Sequence, residues 1–313
     1  MKEELNQWGK EKKSFVFLID FECRKPLAWL VDACPKGFKY NFQGITNHIQ
    51  KTERRDFNFD KFPISIEDYA VKYNKVKEHI AYGNSFLINL TCVTPIKINL
   101  SHQEIFERAS SKYKLWFKNN FVCFSPETFI QIKNNKIYSF PMKGTIDASI
   151  EDAQSIILSD VKEQAEHATI VDLIRNDLSK VSKNVNVSRY RYYEELKTQQ
   201  GFIGQVSSEI VGDLPDNFNE YIGDIIFSLL PAGSVSGAPK DKTVEAIKDI
   251  EGFDRGYYTG IAGYFDGEKL DSCVLIRYID ENNNFRSGGG ITFQSNLENE
   301  YQEMTDKIYV PIY

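Results

Sequence analysis

The sequence predicts an α+β fold with largely antiparallel sheets. Two observations lead to this prediction. Short apolar, β-branched and aromatic runs follow one another with brief turns between them, and helical periodicity appears in separate stretches rather than after every strand. Strict alternation of strand and helix would favour a parallel doubly wound sheet, which is the weaker alternative. The chain has 313 residues, 42% of them hydrophobic, which is enough to bury a sizeable core.

Each element follows from its local pattern. Apolar runs bounded by turn residues predict strands at residues 14–20, 86–97, 121–124, 128–133, 136–140, 202–210, 257–265, 271–280 and 284–294. Amphipathic spacing predicts helices at residues 66–81, 102–114, 160–176, 218–230, 241–250 and 297–309. No internal repeat or Pro/Gly/Ser-rich linker divides the sequence, so a single domain over residues 1–313 is expected.

Charge and composition exclude several classes of protein. The net charge is -6 at pH 7 and the pI is about 5.5, so no basic field is available to hold a nucleic acid. Without a signal-type N-terminus or an apolar run of about 18 residues, a cytoplasmic protein with no membrane partner is expected. The cysteines have no C-x-x-C spacing and are predicted to be buried, reduced thiols. They are Cys23, Cys34, Cys92, Cys123 and Cys273.

Two predicted helices each carry a pair of glutamates three residues apart. Glu163 and Glu166 form one pair, and Glu300 and Glu303 form the other. This spacing places both carboxylates of a pair on one helix face. If the two helices face each other, the carboxylates would suit Mg²⁺, which prefers oxygen ligands. A solvated acidic stripe is the alternative for either pair alone.

Two glycine-containing segments are candidates for contact with a ligand. PAGSVSGAPK, residues 231–240, leads into a predicted helix, so its backbone N–H groups can receive an anion, although it lacks Walker A spacing. The alternative is a loop that only caps the helix. In residues 287–290, Gly289 and Gly290 allow the backbone to approach a ligand closely, and a tight bend is the alternative.

Three charged side chains are candidates for direct roles. Arg277 ends the apolar run CVLIR, where a guanidinium needs an anionic partner, either a substrate carboxylate or an internal salt bridge. Lys143 in SFPMKGT is either a solvated lysine or an amine nucleophile. Glu127, flanked by aromatic residues in FSPETF, is the matching candidate acid or base. Of the histidines, only His167 lies near a motif, and no catalytic triad can be assembled.

Taken together, eight motifs in order resemble the chorismate-utilising enzymes, which include aminodeoxychorismate synthase component I, anthranilate synthase component I and the isochorismate and salicylate synthases. The resemblance covers about residues 80–310 and outweighs the alternatives given above for each motif. The motifs are SPETF (125–129), PMKGT (141–145), EHATIVDLIRNDL (166–178), PAGSVSGAPK (231–240), IEGFDRGYYTGIAGYF (250–265), CVLIR (273–277), SGGGI (287–291) and ENEYQEMTDK (298–307).

The resemblance implies a sandwich-like core of antiparallel sheets with helices outside, chorismate as substrate and Mg²⁺ as cofactor. It implies that Lys143 attacks the chorismate ring while Glu127 assists departure of the 4-hydroxyl, and that ammonia then resolves the covalent intermediate. The implied metal ligands are Glu166 and Glu303, supported by Glu163 and Glu300. The implied substrate contacts are Arg277, Tyr258, Ser236, Gly237, Gly289, Gly290, Lys240 and Thr145.

The residue at position 143 separates the members of this family. The motif resembles P-I-K-G-T of the aminodeoxychorismate synthases, whereas anthranilate synthases usually have alanine in place of the lysine. The resemblance therefore implies 4-amino-4-deoxychorismate, a precursor of 4-aminobenzoate and folate, as product. Anthranilate synthase or isochorismate synthase is the close alternative, and a non-catalytic chorismate-binding subunit is the alternative from another class.

The chain also departs from the family pattern. Gln200 and Gly201 stand where many relatives have a histidine in an H-x-x-S context, which leaves the role of residues 197–204 and any elimination of pyruvate open. Ser236 replaces the usual loop threonine and keeps its hydroxyl. The short N-terminal region predicts no feedback inhibition by tryptophan. No glutaminase nucleophile motif is recognisable, which implies a separate glutamine amidotransferase subunit as the source of ammonia.

Overall fold

The fold is that of a computed structural model, which describes residues 1–49, 56–198 and 201–312. The chain divides into two compact units, each built from three segments. Unit 1 comprises Met1–Phe15, Thr128–Ser234 and Phe265–Asp271. Unit 2 comprises Val16–Glu127, Val235–Tyr264 and Ser272–Tyr313. Because both units are discontinuous in sequence, no single cut separates them, and one catalytic domain over residues 1–313 stays a prediction.

The described residues contain eight α-helices and three short 3₁₀ helices. The α-helices are α1 (Lys2–Lys10), α2 (Ile66–Ala81), α3 (His102–Arg108), α4 (Ala153–Ser159), α5 (Val161–Leu178), α6 (Ile222–Ser228), α7 (Lys240–Glu251) and α8 (Leu297–Asp306). The 3₁₀ helices span Val31–Ala33, Phe218–Tyr221 and Gly233–Val235. Among the described helices, none is both long and apolar enough to cross a membrane.

The strands outnumber the helices. They are β1 (Phe15–Ile19), β2 (Leu27–Leu30), β3 (Phe38–Phe42), β4 (Ile45–Thr46), β5 (Phe59–Lys61), β6 (Leu87–Ile98), β7 (Tyr113–Phe117), β8 (Phe121–Ser125), β9 (Thr128–Lys133), β10 (Lys136–Ser139), β11 (Met142–Asp147), β12 (Lys183–Thr198), β13 (Gly201–Asp213), β14 (Gly237–Ala238), β15 (Ile261–Phe265), β16 (Leu270–Val274), β17 (Tyr278–Asp280) and β18 (Asn284–Thr292). With antiparallel sheets and separate helices, the structure confirms the predicted α+β class.

Unit 1 is built on a sheet in which β13 is the central strand. Its strand order is β11-β13-β10-β9, and the long strand β12 also pairs with β13. Helices α4 and α5 pack beside β11, β12 and β13. The N-terminal helix α1 packs on α6, where Asn6 Nδ2 donates to Asp224 Oδ2 at 2.6 Å. Gly9 permits this approach, since a Cβ there would lie 2.1 Å from the carbonyl oxygen of Asn219.

Unit 2 contains an antiparallel sheet with the strand order β14-β6-β18-β17-β8-β7-β3-β4. Alternate residues of β8 enter two different apolar cores, because successive side chains of a strand point to opposite faces. Val122 and Phe124 pack in the core that contains residues of α2, α3, α7 and α8. Phe121 and Cys123 pack with residues of β1 and β15. The unit is therefore a sandwich of strands with helices on its outer face, as the resemblance implied.

Several predicted boundaries are wrong for local reasons. The helix expected at residues 102–114 ends at Arg108, because Ala109 is extended and Tyr113–Phe117 form β7, which pairs with β3 and β8. The strand expected at 271–280 is two strands, because Arg277 has a left-handed φ of 52°. Of the five cysteines, all reduced, Cys23 and Cys34 are partly exposed rather than buried.

Candidate active site

Lys143 lies in β11, a strand that the sequence analysis did not predict. The register of β11 against β13 shifts between Met142 and Thr145, so Lys143 and Gly144 form a β-bulge. Gly144 has a φ of 87°, which favours glycine. A bulge interrupts the alternation of side chains and redirects them, and here it accompanies an amine that is only partly buried. The predicted contact Thr145 is exposed on the same strand, opposite Gln205.

The Lys143 amine forms an ion pair with Glu166, one of the predicted metal ligands. The distance from Nζ to Oε2 is 2.8 Å, with the lysine side chain 22% exposed and the glutamate 7% exposed. Glu166 lies on α5, whose N-terminus is capped by Asp160 through the backbone N–H of Glu163. Sequence analysis named both residues separately. The structure brings them together within unit 1.

Glu163 lies on the same side of α5 as the Lys143 bulge. A Cβ placed on Gly144 would be 3.0 Å from Glu163 Oε2, so the glycine leaves room for this carboxylate. The pair Glu163 and Glu166 therefore faces β11 rather than forming a fully solvated stripe, because Glu166 is buried and Glu163 is partly buried.

His167 and Ser208 support the same region, and sequence analysis missed their connection. The Nε2 atom of His167 lies 2.7 Å from Ser208 Oγ, which in turn accepts the backbone N–H of Arg191. Burial, together with the charges of Arg191 and Lys143, lowers the pKa of His167 to about 4, although a backbone contact at Lys143 opposes the shift. The imidazole is therefore neutral at pH 7 and holds α5 to β13.

In unit 2, the segment PAGSVSGAPK is shaped by a glycine. Gly237 has a φ of 140°, and a Cβ there would lie 1.9 Å from the carbonyl oxygen of Leu87. The segment pairs with β6, so Gly237 lies opposite Ile88 and the carbonyl of Ser236 accepts the backbone N–H of Asn89. Ser236 is fully buried. Lys240, which the resemblance assigned to substrate charge, is the first residue of α7.

A buried arginine that the sequence did not reveal fixes this segment. Arg255 donates to the carbonyls of Val235 at 2.7 Å and Asn89 at 2.6 Å, and it binds both carboxylate oxygens of Glu251. The side chains of Arg255 and Glu251 are 1% and 0% exposed. Glu251 also accepts the backbone N–H and hydroxyl of Thr91. The ion pair is therefore fully hydrogen-bonded and ties the Ser236 segment to β6.

Tyr258 lies next to a residue with a left-handed backbone, and Arg277 has such a backbone itself. Thr259, a β-branched residue, has a left-handed φ of 58° and is held by Arg255 and by the carbonyl of Leu275. Burial raises the pKa of the neighbouring Tyr258, so its hydroxyl stays protonated. Arg277 also has a left-handed backbone, and its carbonyl accepts the N–H of Phe124. Strain of this kind is common at functional sites.

The Arg277 guanidinium lies 5.4 Å from the ring of Tyr309. Its buried Nε has no hydrogen-bond partner among the residues that the structure describes. The internal salt bridge considered as an alternative is therefore not found in the described chain. A buried guanidinium donor favours an anionic ligand.

Glu300 and Glu303 lie together beside β18. A Cβ placed on Gly289 would be 3.4 Å from Glu300 Oε2 and 3.5 Å from Glu303 Oε1, so the glycine run faces both carboxylates. Glu300 is 4% exposed, whereas the Glu303 side chain is 46% exposed and pairs with Lys307 at 2.6 Å. Lys307, which the sequence did not suggest, also donates to the carbonyl of Gly288.

The backbones of Glu127 and Gly290 both take part in contacts between strands or their ends. The N–H of Glu127 donates to Ser125 Oγ at 3.1 Å, and its carbonyl accepts from Val274 at 3.2 Å. Its role as acid or base stays a prediction. Gly290 lies opposite Asn89 in the β18–β6 pair. Gln200, one of the two residues that stand where many relatives have a histidine, lies outside the described residues.

The metal site also stays a prediction. Glu163 and Glu166 belong to unit 1, and Glu300 and Glu303 belong to unit 2. Within residues 1–49, 56–198 and 201–312, no three His, Cys, Asp or Glu side chains form a group that could hold a metal ion. What the structure shows is two pairs of glutamates, each with a buried member and each touched by a lysine.

Comparison with protein families identifies the chain. The chorismate binding enzyme family matches residues 14–312. The chain belongs to this family. An uncharacterized PabA-like protein of Pasteurella multocida is 48% identical over 99% of this chain and 98% of its own length. This match extends over nearly the whole of both proteins.

More distant relatives carry names of two activities. Anthranilate synthase component 1 of Archaeoglobus fulgidus is 34% identical over 78% of this chain and 61% of its own length. Aminodeoxychorismate synthase component 1 of Bacillus subtilis is 28% identical over 79% of this chain and 55% of its own length. The family of the chain is therefore established by sequence.

The fold is shared with a solved structure. A crystal structure described as a putative isochorismate synthase of Bacillus anthracis superposes with a TM-score of 0.75 at 21% identity, covering 98% of this chain and 87% of that one. At this identity the similarity supports the fold alone.

Proposed function

We propose that this chorismate-binding enzyme is an aminodeoxychorismate synthase component, which converts chorismate and ammonia to 4-amino-4-deoxychorismate. The observation that carries the proposal is Lys143, a partly buried amine placed on a strand bulge 2.8 Å from a glutamate in a protein of this family. A lysine at this position resembles the aminodeoxychorismate synthases, and a solvated lysine would not need the bulge or the buried carboxylate.

Covalent catalysis requires that Lys143 lose a proton before it attacks. The Glu166 carboxylate lies within hydrogen-bond distance of Nζ, so it can hold the ammonium group in place and accept the proton. The new bond from Nζ to the ring forms as the bond to the 4-hydroxyl breaks, and Glu127 protonates the hydroxyl, which leaves as water. Ammonia then forms a bond to the ring as the bond to Nζ breaks, and the attacking nitrogen loses a proton to Glu127. The lysine amine takes back its proton from Glu166, which restores the free enzyme.

Substrate binding requires groups for two carboxylates. We assign the enolpyruvyl carboxylate to Arg277 and Tyr258, with backbone donors near Gly289 and Gly290. The buried, unpartnered Nε of Arg277 within the described chain supports this assignment. The ring carboxylate is assigned to Ser236, Gly237 and the metal, with Lys240 adding positive charge.

We propose Mg²⁺ as the cofactor, because the two glutamate pairs offer the type of donor that this ion takes. Glu166 and Glu300 are 6% and 4% exposed, and hard carboxylate oxygens are the donors that Mg²⁺ prefers. Glu166 and Glu303 would hold the ion with support from Glu163 and Glu300. Bound there, Mg²⁺ would neutralise the ring carboxylate and fix its orientation. The Lys143 and Lys307 ammonium groups balance the charge of Glu166 and Glu303 in the structure.

Anthranilate synthase is the second candidate, because the named anthranilate synthase of Archaeoglobus fulgidus shares more identity with the chain than the named aminodeoxychorismate synthase does. Lys143 favours amination at C4 over this alternative. In either case ammonia is needed, and we propose a glutamine amidotransferase subunit as its source, with ammonium salts as a substitute in vitro.

The deciding experiment is identification of the product. The purified protein is incubated with chorismate, Mg²⁺ and an ammonium salt, and the product is identified by mass spectrometry and NMR, with a reaction lacking ammonium as control. We expect 4-amino-4-deoxychorismate that forms only with ammonium. Anthranilate would support the second candidate, and isochorismate formed without ammonium would contradict both.

A further inference from the structure

A polar cavity of about 530 Å³ lies within unit 2, and none of the proposed chorismate contacts lines it. Most of its lining comes from three places in the chain. These are Asn41 and Gln43 near the β3–β4 turn, residues 108–112 from the end of α3 to the start of β7, and Lys114 of β7. The volume is within the range of about 300–1,000 Å³ that is typical of small-molecule sites. The cavity can therefore accommodate a small molecule.

The lining of the cavity is strongly basic. Arg108, Lys112 and Lys114 contribute three positive charges, and no Asp or Glu is among the lining residues. Glu107 is the neighbouring acid that interacts with Lys114, and it lies 3.1 Å from the Nε2 of His48. Positive charge therefore exceeds negative charge around the cavity, which favours an anionic ligand.

Lys114 is a buried cation. The residue is 7% exposed, and its Nζ lies 5.4 Å from the centre of the Phe106 ring. Burial lowers the pKa of Lys114, while Glu107 partly opposes this effect. No ion pair of Lys114 is found among the residues that the structure describes. Burying an ammonium group is costly unless an anion compensates it, so a ligand that brings negative charge would stabilise this position.

Backbone and side-chain hydrogen bonds fix the cavity wall. Gln43 donates its backbone N–H to the carbonyl of Lys112 and its side-chain amide to Tyr113, both at 3.1 Å. Ser110 donates its N–H to the carbonyl of Pro311 at 2.8 Å, and Ser111 Oγ donates to the carbonyl of Ser125. The site is therefore preorganised, which reduces the entropy lost when a ligand binds.

We infer that this cavity binds a small organic anion with at least two carboxylate or phosphate groups, at a position separate from the chorismate contacts. Arg108, Lys112 and Lys114 supply the charge, and Asn41, Gln43, Ser110 and Ser111 supply polar groups. Guanidinium and ammonium groups form charge-assisted hydrogen bonds with both kinds of anion.

Isothermal titration calorimetry with citrate and with inorganic pyrophosphate tests this inference. Measurements are made without Mg²⁺ or chorismate, so the result does not depend on the proposed function. We expect at least one of the two anions to bind, and which one binds identifies the preferred group. Loss of one charge-assisted contact should weaken binding about 10-fold or more.

The variants locate the site. Lys112→Gln changes an exposed residue, so it should not disturb the fold. Lys114→Met removes the charge of a buried residue and keeps most of its side-chain volume, and its folding is checked by circular dichroism. Both should weaken binding about 10-fold, and the exposed control Lys118→Gln should leave it unchanged. If neither anion binds the native protein at millimolar concentration, or if Lys112→Gln and Lys114→Met bind as the native protein does, the inference is wrong.

Discussion

In unit 1 the side chain of Lys143 is 22% exposed and pairs with the carboxylate of Glu166. In unit 2 the side chains of Arg255 and Glu251 are 1% and 0% exposed, and Arg255 binds three main-chain and side-chain groups besides the glutamate. Both are lysine– or arginine–glutamate pairs near family motifs. One is accessible to a substrate and the other is sealed inside the protein.

This difference distinguishes an ion pair that we propose takes part in catalysis from one that stabilises the fold. A nucleophile needs access and the freedom to lose a proton, so its ion pair cannot be completely buried. A guanidinium that fixes two carbonyls needs the opposite, because water would compete for its hydrogen bonds. We therefore expect changes at Lys143 to cost activity with little loss of stability, and changes at Arg255 to cost stability first.

The largest expected effect is on turnover in Lys143→Ala. Removing the proposed nucleophile should lower formation of 4-amino-4-deoxychorismate about 10³-fold or more, because the proposed covalent intermediate forms on this amine. The free energy of unfolding should change by less than about 1 kcal/mol, since the side chain is partly exposed. Product formation is followed by chromatography, and chorismate binding by calorimetry.

Lys136→Ala is the matched control for that variant. Lys136 is a lysine of β10 in the same sheet, and it pairs with Asp213 at the surface with its side chain 46% exposed. It should have native turnover. Native turnover in Lys143→Ala itself would rule out covalent catalysis by this residue.

The second effect is on the stability of unit 2 in Arg255→Met. Removing one partner of a buried ion pair leaves Glu251 charged and uncompensated, which should lower the free energy of unfolding by about 3–5 kcal/mol. Urea denaturation monitored by tryptophan fluorescence measures this, because Trp29 and Trp116 belong to unit 2.

Two further variants sharpen the comparison. Arg175 and Asp172 form an exposed ion pair, so Arg175→Met should lower the free energy of unfolding by less than about 1 kcal/mol. The double variant Glu251→Leu with Arg255→Met should recover part of the loss, since it removes the uncompensated charge. If Arg255→Met lowered the free energy of unfolding as little as Arg175→Met does, the buried network would not stabilise the fold.

Local signals determined how well the elements were predicted. Helix α2 was predicted residue for residue, because Ser65 caps it through the N–H of Asp68 and Tyr69, Tyr73, Val76 and Ile80 form its buried face. Strand β12 was missed, since its many polar residues give no apolar run. The strand expected at 257–265 begins only at Ile261, after the left-handed Thr259 that Arg255 holds from outside the segment.

The candidate site shows the same limit. Lys143, Glu166, Arg277 and the glycine segments were named from the sequence, because their residue types and motifs are local. Arg255 was missed, since its partner Asn89 is 166 residues away and an arginine in IEGFDRGYY carries no sign of burial. The contact of His167 with Ser208 spans 41 residues and depends on how α5 packs against β13.

The smallest expected effect concerns the metal, where the two glutamate pairs can be compared directly. Glu166→Gln and Glu303→Gln should each raise the Mg²⁺ concentration for half-maximal activity about 10- to 100-fold, because each replaces a carboxylate ligand by a neutral amide. The measurement is the initial rate of chorismate amination against Mg²⁺ concentration. Glu298→Gln, in the first turn of α8, is the control and should behave as the native protein does.

The two variants should differ at saturating Mg²⁺. Glu166→Gln also removes the charge that faces the Lys143 amine, so its maximal rate should stay below the native rate even with excess metal. Glu303 pairs with Lys307, and its replacement leaves the ion pair of Lys143 with Glu166 in place, so excess Mg²⁺ should restore most of the rate of Glu303→Gln. Unchanged Mg²⁺ dependence in both variants would make the metal assignment wrong. Full rescue of both would instead remove the role of Glu166 as the proton acceptor for Lys143.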